Sequence, residues 1–138
     1  MAVATYKLAA SDTGSKGAVC IKLNIDDTSF VFLNCHLDGG SDRASAQTRH
    51  SQLKIITQGA FKQERGTQYA QYDVARQNAK IYFGDLNFKL HPQTGDLATI
   101  AESISSNNFS KCVAFDELYR FGMSDLLLKR MQEGQLLF

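Results

Sequence analysis

Two apolar runs in this chain stop abruptly in polar groups. Phe30-Val31-Phe32-Leu33 ends in Asn34-Cys35-His36, and Ile81-Tyr82-Phe83 ends in Gly84-Asp85-Leu86-Asn87. Each run has the length and the aromatic or β-branched make-up of a buried strand. Ahead of the first, Val19, Ile21, Leu23 and Ile25 alternate with Cys20, Lys22 and Asn24. That period of two predicts a half-buried strand over residues 18–25 with the aliphatic positions facing the core. Asp26-Asp27 joins the two strands, which read as an antiparallel hairpin, although Asp-Asp suits a primed turn less well than Asp-Gly.

The period changes after the Asp38-Gly39-Gly40-Ser41-Asp42 loop. Leu53, Ile56, Ala60 and Phe61 fall on helical spacing and predict a helix over about residues 42–62, with Ser41 or Asp42 as N-cap. Leu97, Ile100, Ala101 and Ile104 form an i, i+3, i+4, i+7 stripe that Ser105-Ser106-Asn107-Asn108 closes. Phe115, Leu118 and Tyr119 make a shorter stripe interrupted by Gly122, and Ser124-Asp125 cap a last helix carrying Leu127, Leu128 and Met131. All these stripes read as core-facing. Strand, strand, helix, strand, helix, helix is an α/β order with a mixed sheet. Residues 1–13 read as a flexible lead and the glutamine-rich residues 62–79 as a polar insertion, within a single domain of residues 1–138.

Composition narrows the class without naming a function. The 138 residues are 43% hydrophobic and 21% charged, the balance of an ordinary globular chain. The net charge of +1 argues for neither a nucleic-acid-binding surface nor an acidic tail, so any attraction for a phosphorylated ligand has to be local. Cys20, Cys35 and Cys112 are odd in number, with no Cys-X-X-Cys pair, which predicts reduced thiols and a cytoplasmic setting. No apolar run approaches the roughly 20 residues of a spanning helix, and the first residues lack a signal pattern.

The strand ends carry the candidate chemistry. Asn34 and His36 are two apart and share one face of an extended chain. Gly84-Asp85-Leu86-Asn87 puts a carboxylate and an amide at a second strand end, and open α/β sheets hold ligands at that rim. Taken singly, each polar group is a strand terminator or turn former. Together the four are suited to hold a phosphoryl oxygen or a metal-bound water.

These stretches resemble the inositol polyphosphate 5-phosphatases, a branch of the endonuclease/exonuclease/phosphatase superfamily. Gly84-Asp85-Leu86-Asn87-Phe88-Lys89 resembles the family's Gly-Asp-Leu-Asn-Tyr/Phe-Arg, and Asn34-Cys35-His36-Leu37 its Asn-Ser-His-Leu. Lys16-Gly17-Ala18-Val19 resembles Lys-Gly-Gly-Val, and Arg49-His50 with Leu53 and Ile55-Ile56 resembles its Arg-Asn helix. Phe115-Asp116-Glu117-Leu118 and Glu133-Gly134-Gln135-Leu136-Leu137-Phe138 resemble Tyr-Asp-Gln-Leu and Glu-Gly-X-Ile-X-Phe. Six motifs in order, from about Gly14 to Phe138, make the resemblance specific.

The resemblance implies a partial endonuclease/exonuclease/phosphatase-type sandwich, a mixed sheet with flanking helices. It implies magnesium-dependent hydrolysis of the 5-phosphate of inositol polyphosphates or phosphoinositides, carried out as part of a larger catalytic domain. Asp85 would orient or deprotonate the attacking water, Asn87 would hold that water or a phosphoryl oxygen, and His36 would hydrogen-bond the phosphate with Asn34 in support. Lys16, Arg49 and Lys89 are candidates for charge complementarity to the phosphorylated ring. Lys89 stands where the family has arginine, which weakens bidentate binding there.

The family's metal-binding Glu belongs to strands ahead of the Lys-Gly-Gly-Val region, so no metal ligand is assigned here and the chain alone is expected to be inactive. A nuclease of the same superfamily and a non-catalytic binding remnant are the alternatives. The expected partner is a phosphorylated inositol or phosphoinositide head group, which leaves room for peripheral contact at a membrane surface, with no nucleic acid. Self-association through an exposed sheet edge is a further expectation.

Overall fold

The structure, a computed structural model, describes residues 1–7, 15–62, 73–90 and 96–124. The chain, expected as one domain, divides into two compact units, Met1–Asn87 and Phe88–Phe138. The first holds a four-stranded sheet of β1 (Ala2–Lys7), β2 (Gly17–Ile25), β3 (Thr28–His36) and β4 (Ala79–Asp85), in that spatial order. The β1–β2 and β2–β3 pairs are antiparallel and β3–β4 is parallel. A parallel pair needs a crossover, which here contains α1 (Arg43–Gly59).

The hairpin forms as its sequence predicts. Ile25 pairs with Thr28, and Asp26, the first residue of the turn, takes a positive φ of 49°. Asp42 is the N-cap of α1, its carboxylate accepting from Ser45 N at 2.7 Å, and that bond holds the carboxyl below its usual range. At the other end of α1, Phe61 turns at φ 61° and is buried.

Three expectations are corrected in this unit. Ala2–Lys7, assigned to a flexible lead, pairs with β2 from Ala2↔Lys22 to Lys7↔Gly17. Residues 8–14 lie outside the described set. In β2 the period of two is present but the face is inverted: Ala18, Cys20 and Lys22 are buried, whereas Val19 and Ile25 are 43% and 57% exposed. The buried row continues through Val31, Leu33 and Cys35 of β3. It lies beneath α1, where the Thr57 hydroxyl meets Tyr82 Oη at 3.1 Å. Ala46, Leu53 and Ile56 close the core from the helix side. The opposite face carries Phe30, Phe32, Ile81 and Phe83, and the last two are exposed, although the β4 run reads as fully buried.

Of the polar insertion, residues 63–72 lie outside the described set. The part nearest β4 is built in. Asp73 caps a short 3-10 turn, Val74–Arg76, with Val74 and Gln77 buried. Asn78 Oδ1 then accepts from Ser29 N at 2.9 Å, which ties the entry of β4 to that of β3.

The second unit contains α2 (Asp96–Ser105), α3 (Ser110–Val113) and α4 (Glu117–Ser124). The α2 stripe is a core face at Ile100 alone, since Leu97, Ala101 and Ile104 are exposed. Asn107, at φ 53°, and the Asn108 N to Ser103 O bond end that helix where the polar cluster predicts. Gly122 does not interrupt the next one, because α4 runs through it to Ser124. The expected helix from residue 125 onward and the Glu133–Phe138 motif lie outside the described residues.

Candidate active site

The parallel pairing of β3 with β4 creates the site. Its register places Asn34 beside Phe83, Cys35 beside Gly84 and His36 beside Asp85, so both strands reach one rim with their carboxyl ends. Leu37 N donates to Asp85 O at 3.0 Å and carries the ladder one step past both strands. His36 Nε2 then lies 3.5 Å from Asp85 Oδ2, with half of the imidazole and 64% of the carboxylate side chain open to solvent.

Gly84 lets the strands meet this closely. It sits at φ 104°, and a Cβ there would run into the carbonyl oxygen of Cys35 and Oδ1 of Asn34. Asn34 thus lies against the glycine while remaining exposed to solvent. Beyond Gly84 the chain turns sharply. Asn87 adopts φ 57°, its N–H donates to Asp85 Oδ1 at 3.2 Å, and its Nδ2 donates to Leu37 O at 3.1 Å. The side chain ties the two strand ends together, and the backbone N–H orients the carboxylate between them. Lys16, immediately before β2, reaches the same place because Gly17 pairs with His36, and its Nζ lies 2.7 Å from His36 Nε2.

Five of the seven sequence candidates, Lys16, Asn34, His36, Asp85 and Asn87, therefore converge in the first unit. Arg49, a candidate for charge complementarity to the phosphorylated ring, is not at the rim. It is fully buried, and Nη1 donates to the carbonyls of Asp38, Gly39 and Gly40 at 3.1, 3.0 and 2.9 Å. A guanidinium so engaged braces the loop that follows His36-Leu37. Gln52, three residues on along α1, accepts from Asp38 N at 2.8 Å and completes the brace. Sequence reasoning passed over Gln52, for which the i, i+3 spacing from Arg49 was the available signal. His50, the residue after Arg49 in the helix motif, is half-buried. Lys89 belongs to the second unit, where its backbone N–H donates to Glu117 Oε2 at 3.1 Å and its carbonyl accepts from Glu117 N.

The thiols near the site are not nucleophiles. Burial pushes Cys20 up to about 12, with a contribution from Cys35, and pushes Cys35 up to about 11. Both stay protonated at neutral pH on the face away from His36. Among the described residues no group of three His, Cys, Asp or Glu side chains gathers to hold a metal. Asp85 lies at the rim beside His36, and one carboxylate beside an imidazole does not by itself make a magnesium site, which takes a near-octahedral oxygen shell.

The chain is similar to known proteins in sequence and in fold. A family profile described as Endonuclease/Exonuclease/phosphatase family 2 matches residues 3–138. Phosphatidylinositol 3,4,5-trisphosphate 5-phosphatase 2B of Danio rerio is 33% identical over 110 residues, which are 78% of this chain and 8% of that protein. Phosphatidylinositol 4,5-bisphosphate 5-phosphatase A of Rattus norvegicus is 30% identical over 125 residues, covering 91% of this chain and 12% of that one. The solved inositol polyphosphate 5-phosphatase domain of SPsynaptojanin, in complex with inositol (1,4)-bisphosphate and calcium ion, superposes with a TM-score of 0.65 at 21% identity. That match covers 90% of this chain and 33% of the solved one, and it shows the shared fold. The chain thus spans about a tenth of the length of these curated relatives. By the profile match along nearly its whole length, it belongs to endonuclease/exonuclease/phosphatase family 2, with phosphoinositide 5-phosphatases among its relatives.

Proposed function

We propose that this chain supplies one wall of a site that removes the 5-phosphate from inositol polyphosphates or phosphoinositides, within a larger catalytic domain. The observation that carries the reading is the β3–β4 register, which sets His36 against Asp85 at a shared strand rim. Asn87 occupies Oδ1 of Asp85 and leaves Oδ2 facing the opening. That oxygen can accept a proton from water as the water oxygen bonds to phosphorus and the bond to the inositol oxygen breaks. Lys16 and His36 line the rim on the side that faces the phosphoryl oxygens, and Asn34 supports it. The relatives' names, which specify phosphoinositide 5-phosphatases, favour this substrate class over others.

Magnesium remains the proposed cofactor of the complete domain, with donors beyond those described here, and no step above uses it. The chain alone is expected to release no phosphate. A cytoplasmic setting, at a membrane surface when the substrate is a lipid, is supported by the three free cysteines. The nuclease reading draws support from the breadth of the family's description.

One titration separates these readings. Amide resonances of a 15N-labelled chain are followed as inositol 1,4,5-trisphosphate, myo-inositol or a short DNA duplex is added. The phosphatase reading expects shifts at residues 34–37 and 84–87 with the trisphosphate alone. Shifts there with DNA alone would favour the nuclease, and no response to any of the three leaves a remnant.

A further inference from the structure

We propose that His36 acts through Lys16: the imidazole is a positioning residue that places the lysine ammonium at the rim, and Lys16 is the group that meets a phosphate monoester dianion. The consequence for substrate rests on the phosphoryl-site reading above, but the hydrogen-bond assignment does not.

The argument begins with donors and acceptors. Lys16 Nζ is 2.7 Å from His36 Nε2. An ammonium has protons to give and no lone pair, so it donates and Nε2 accepts. The neutral ring then carries its proton on Nδ1. A nitrogen that accepts from Lys16 cannot at the same time donate to a phosphoryl oxygen.

Asp85 sharpens this. Its Oδ2 lies 3.5 Å from the same nitrogen, beyond the usual reach of about 2.7–3.2 Å for an N–H···O bond. Two lone-pair-bearing atoms therefore face each other across the rim, an arrangement that a nearby cation makes favourable, and Lys16 supplies one. Backbone register explains why the lysine arrives there. Gly17 is paired with His36 on one side and Asp85 is paired with it on the other, so the residue before Gly17 is delivered to the ring. With half of the imidazole open to solvent, an anion arriving at the rim meets the ammonium and leaves the ring nitrogen as the post that holds it.

The two assignments of His36 differ in the place of one proton, which long-range 1H–15N correlation reads directly on the full labelled chain. His36→Gln identifies the His36 signals among those of His36, His50 and His91. The expected result is a neutral His36 with the proton on Nδ1, moving to Nε2 in Lys16→Met. An Nε2–H ring in the unsubstituted chain, or a ring indifferent to Lys16→Met, overturns the proposal.

Binding of inorganic phosphate, followed by the amide shifts of residues 34–37, supplies the second readout. Lys16→Met is expected to weaken it roughly threefold to tenfold, as for an exposed charge contact. His36→Leu is expected to match that loss, His36→Gln to recover most of it by offering Oε1 to the lysine, and the double variant Lys16→Met/His36→Leu to be no worse than Lys16→Met. Additive losses, or a phosphate affinity that ignores both positions, overturn the proposal. Because the tautomer is read without substrate, its failure is distinct from a failure of inositol phosphate recognition.

Discussion

Replacing Gly84 with alanine tests whether the close approach of β3 and β4 holds the site together. A Cβ at φ 104° costs about 1–3 kcal/mol in backbone strain. The same Cβ meets the Cys35 carbonyl and comes within 3.0 Å of Cys35 N, which are backbone atoms that no rotamer change can move aside. Forcing them apart adds roughly 1–3 kcal/mol, as overpacking a core does. The sum, roughly 2–6 kcal/mol, is a large fraction of the 5–15 or so that holds a typical domain. At an m-value of about 1–3 kcal/mol/M, the urea midpoint should fall by about 1 M or more. Far-UV circular dichroism in urea is the assay, and Gly39→Ala is the control, since a Cβ there meets nothing within 4 Å. If Gly84→Ala unfolds at the same urea concentration as Gly39→Ala, the close approach does not exist and the His36–Asp85 juxtaposition loses its cause.

Arg49→Met should destabilise by about 2–4 kcal/mol in the same assay, because it strips a charged donor from three loop carbonyls. Arg49→Lys should recover only part of that, since one ammonium lacks the planar fork. Stability should also decline as pH rises above 9. Cys20 and Cys35 titrate near 9.0 when unfolded but at about 12 and about 11 when folded, so each favours folding below pH 9 and loses that contribution as pH climbs through its folded value. A urea midpoint that is flat between pH 8 and 10.5 would contradict that burial. Sedimentation velocity should show self-association that Phe83→Lys reduces, because Ile81 and Phe83 are exposed on an apolar sheet face; a monomer at every concentration would refute it.

The juxtaposition of His36 and Asp85 in the candidate site was legible because strand ends announce themselves. An apolar run that stops in Asn-Cys-His or Gly-Asp-Leu-Asn marks a boundary and the polar groups placed there, and the structure brings both boundaries to one rim. What alternation could not say is which parity meets the helix. Val19, Ile21, Leu23 and Ile25 share a face as expected, but α1 covers the other one, whose small or polar members Ala18, Cys20 and Lys22 look less like a core. The Ala2–Lys7 strand was missed for a related reason: its alanines carry little β preference, and pairing to the edge of β2 decides its state. Arg49 was misplaced because arginine on a helix normally reads as a wet charge. Its burial depends on carbonyls ten residues away in a glycine-rich turn, a contact that no local pattern encodes.

The central claim is that one phosphoryl group sits at the rim that the two strand ends share. A crystal structure of the chain with inositol 1,4,5-trisphosphate measures this most directly. The account predicts a phosphate within hydrogen-bond distance of Lys16 Nζ, with Asp85 Oδ2 facing the side from which water attacks. A phosphate bound elsewhere, or His36 and Asp85 on separate rims of the sheet, would contradict it.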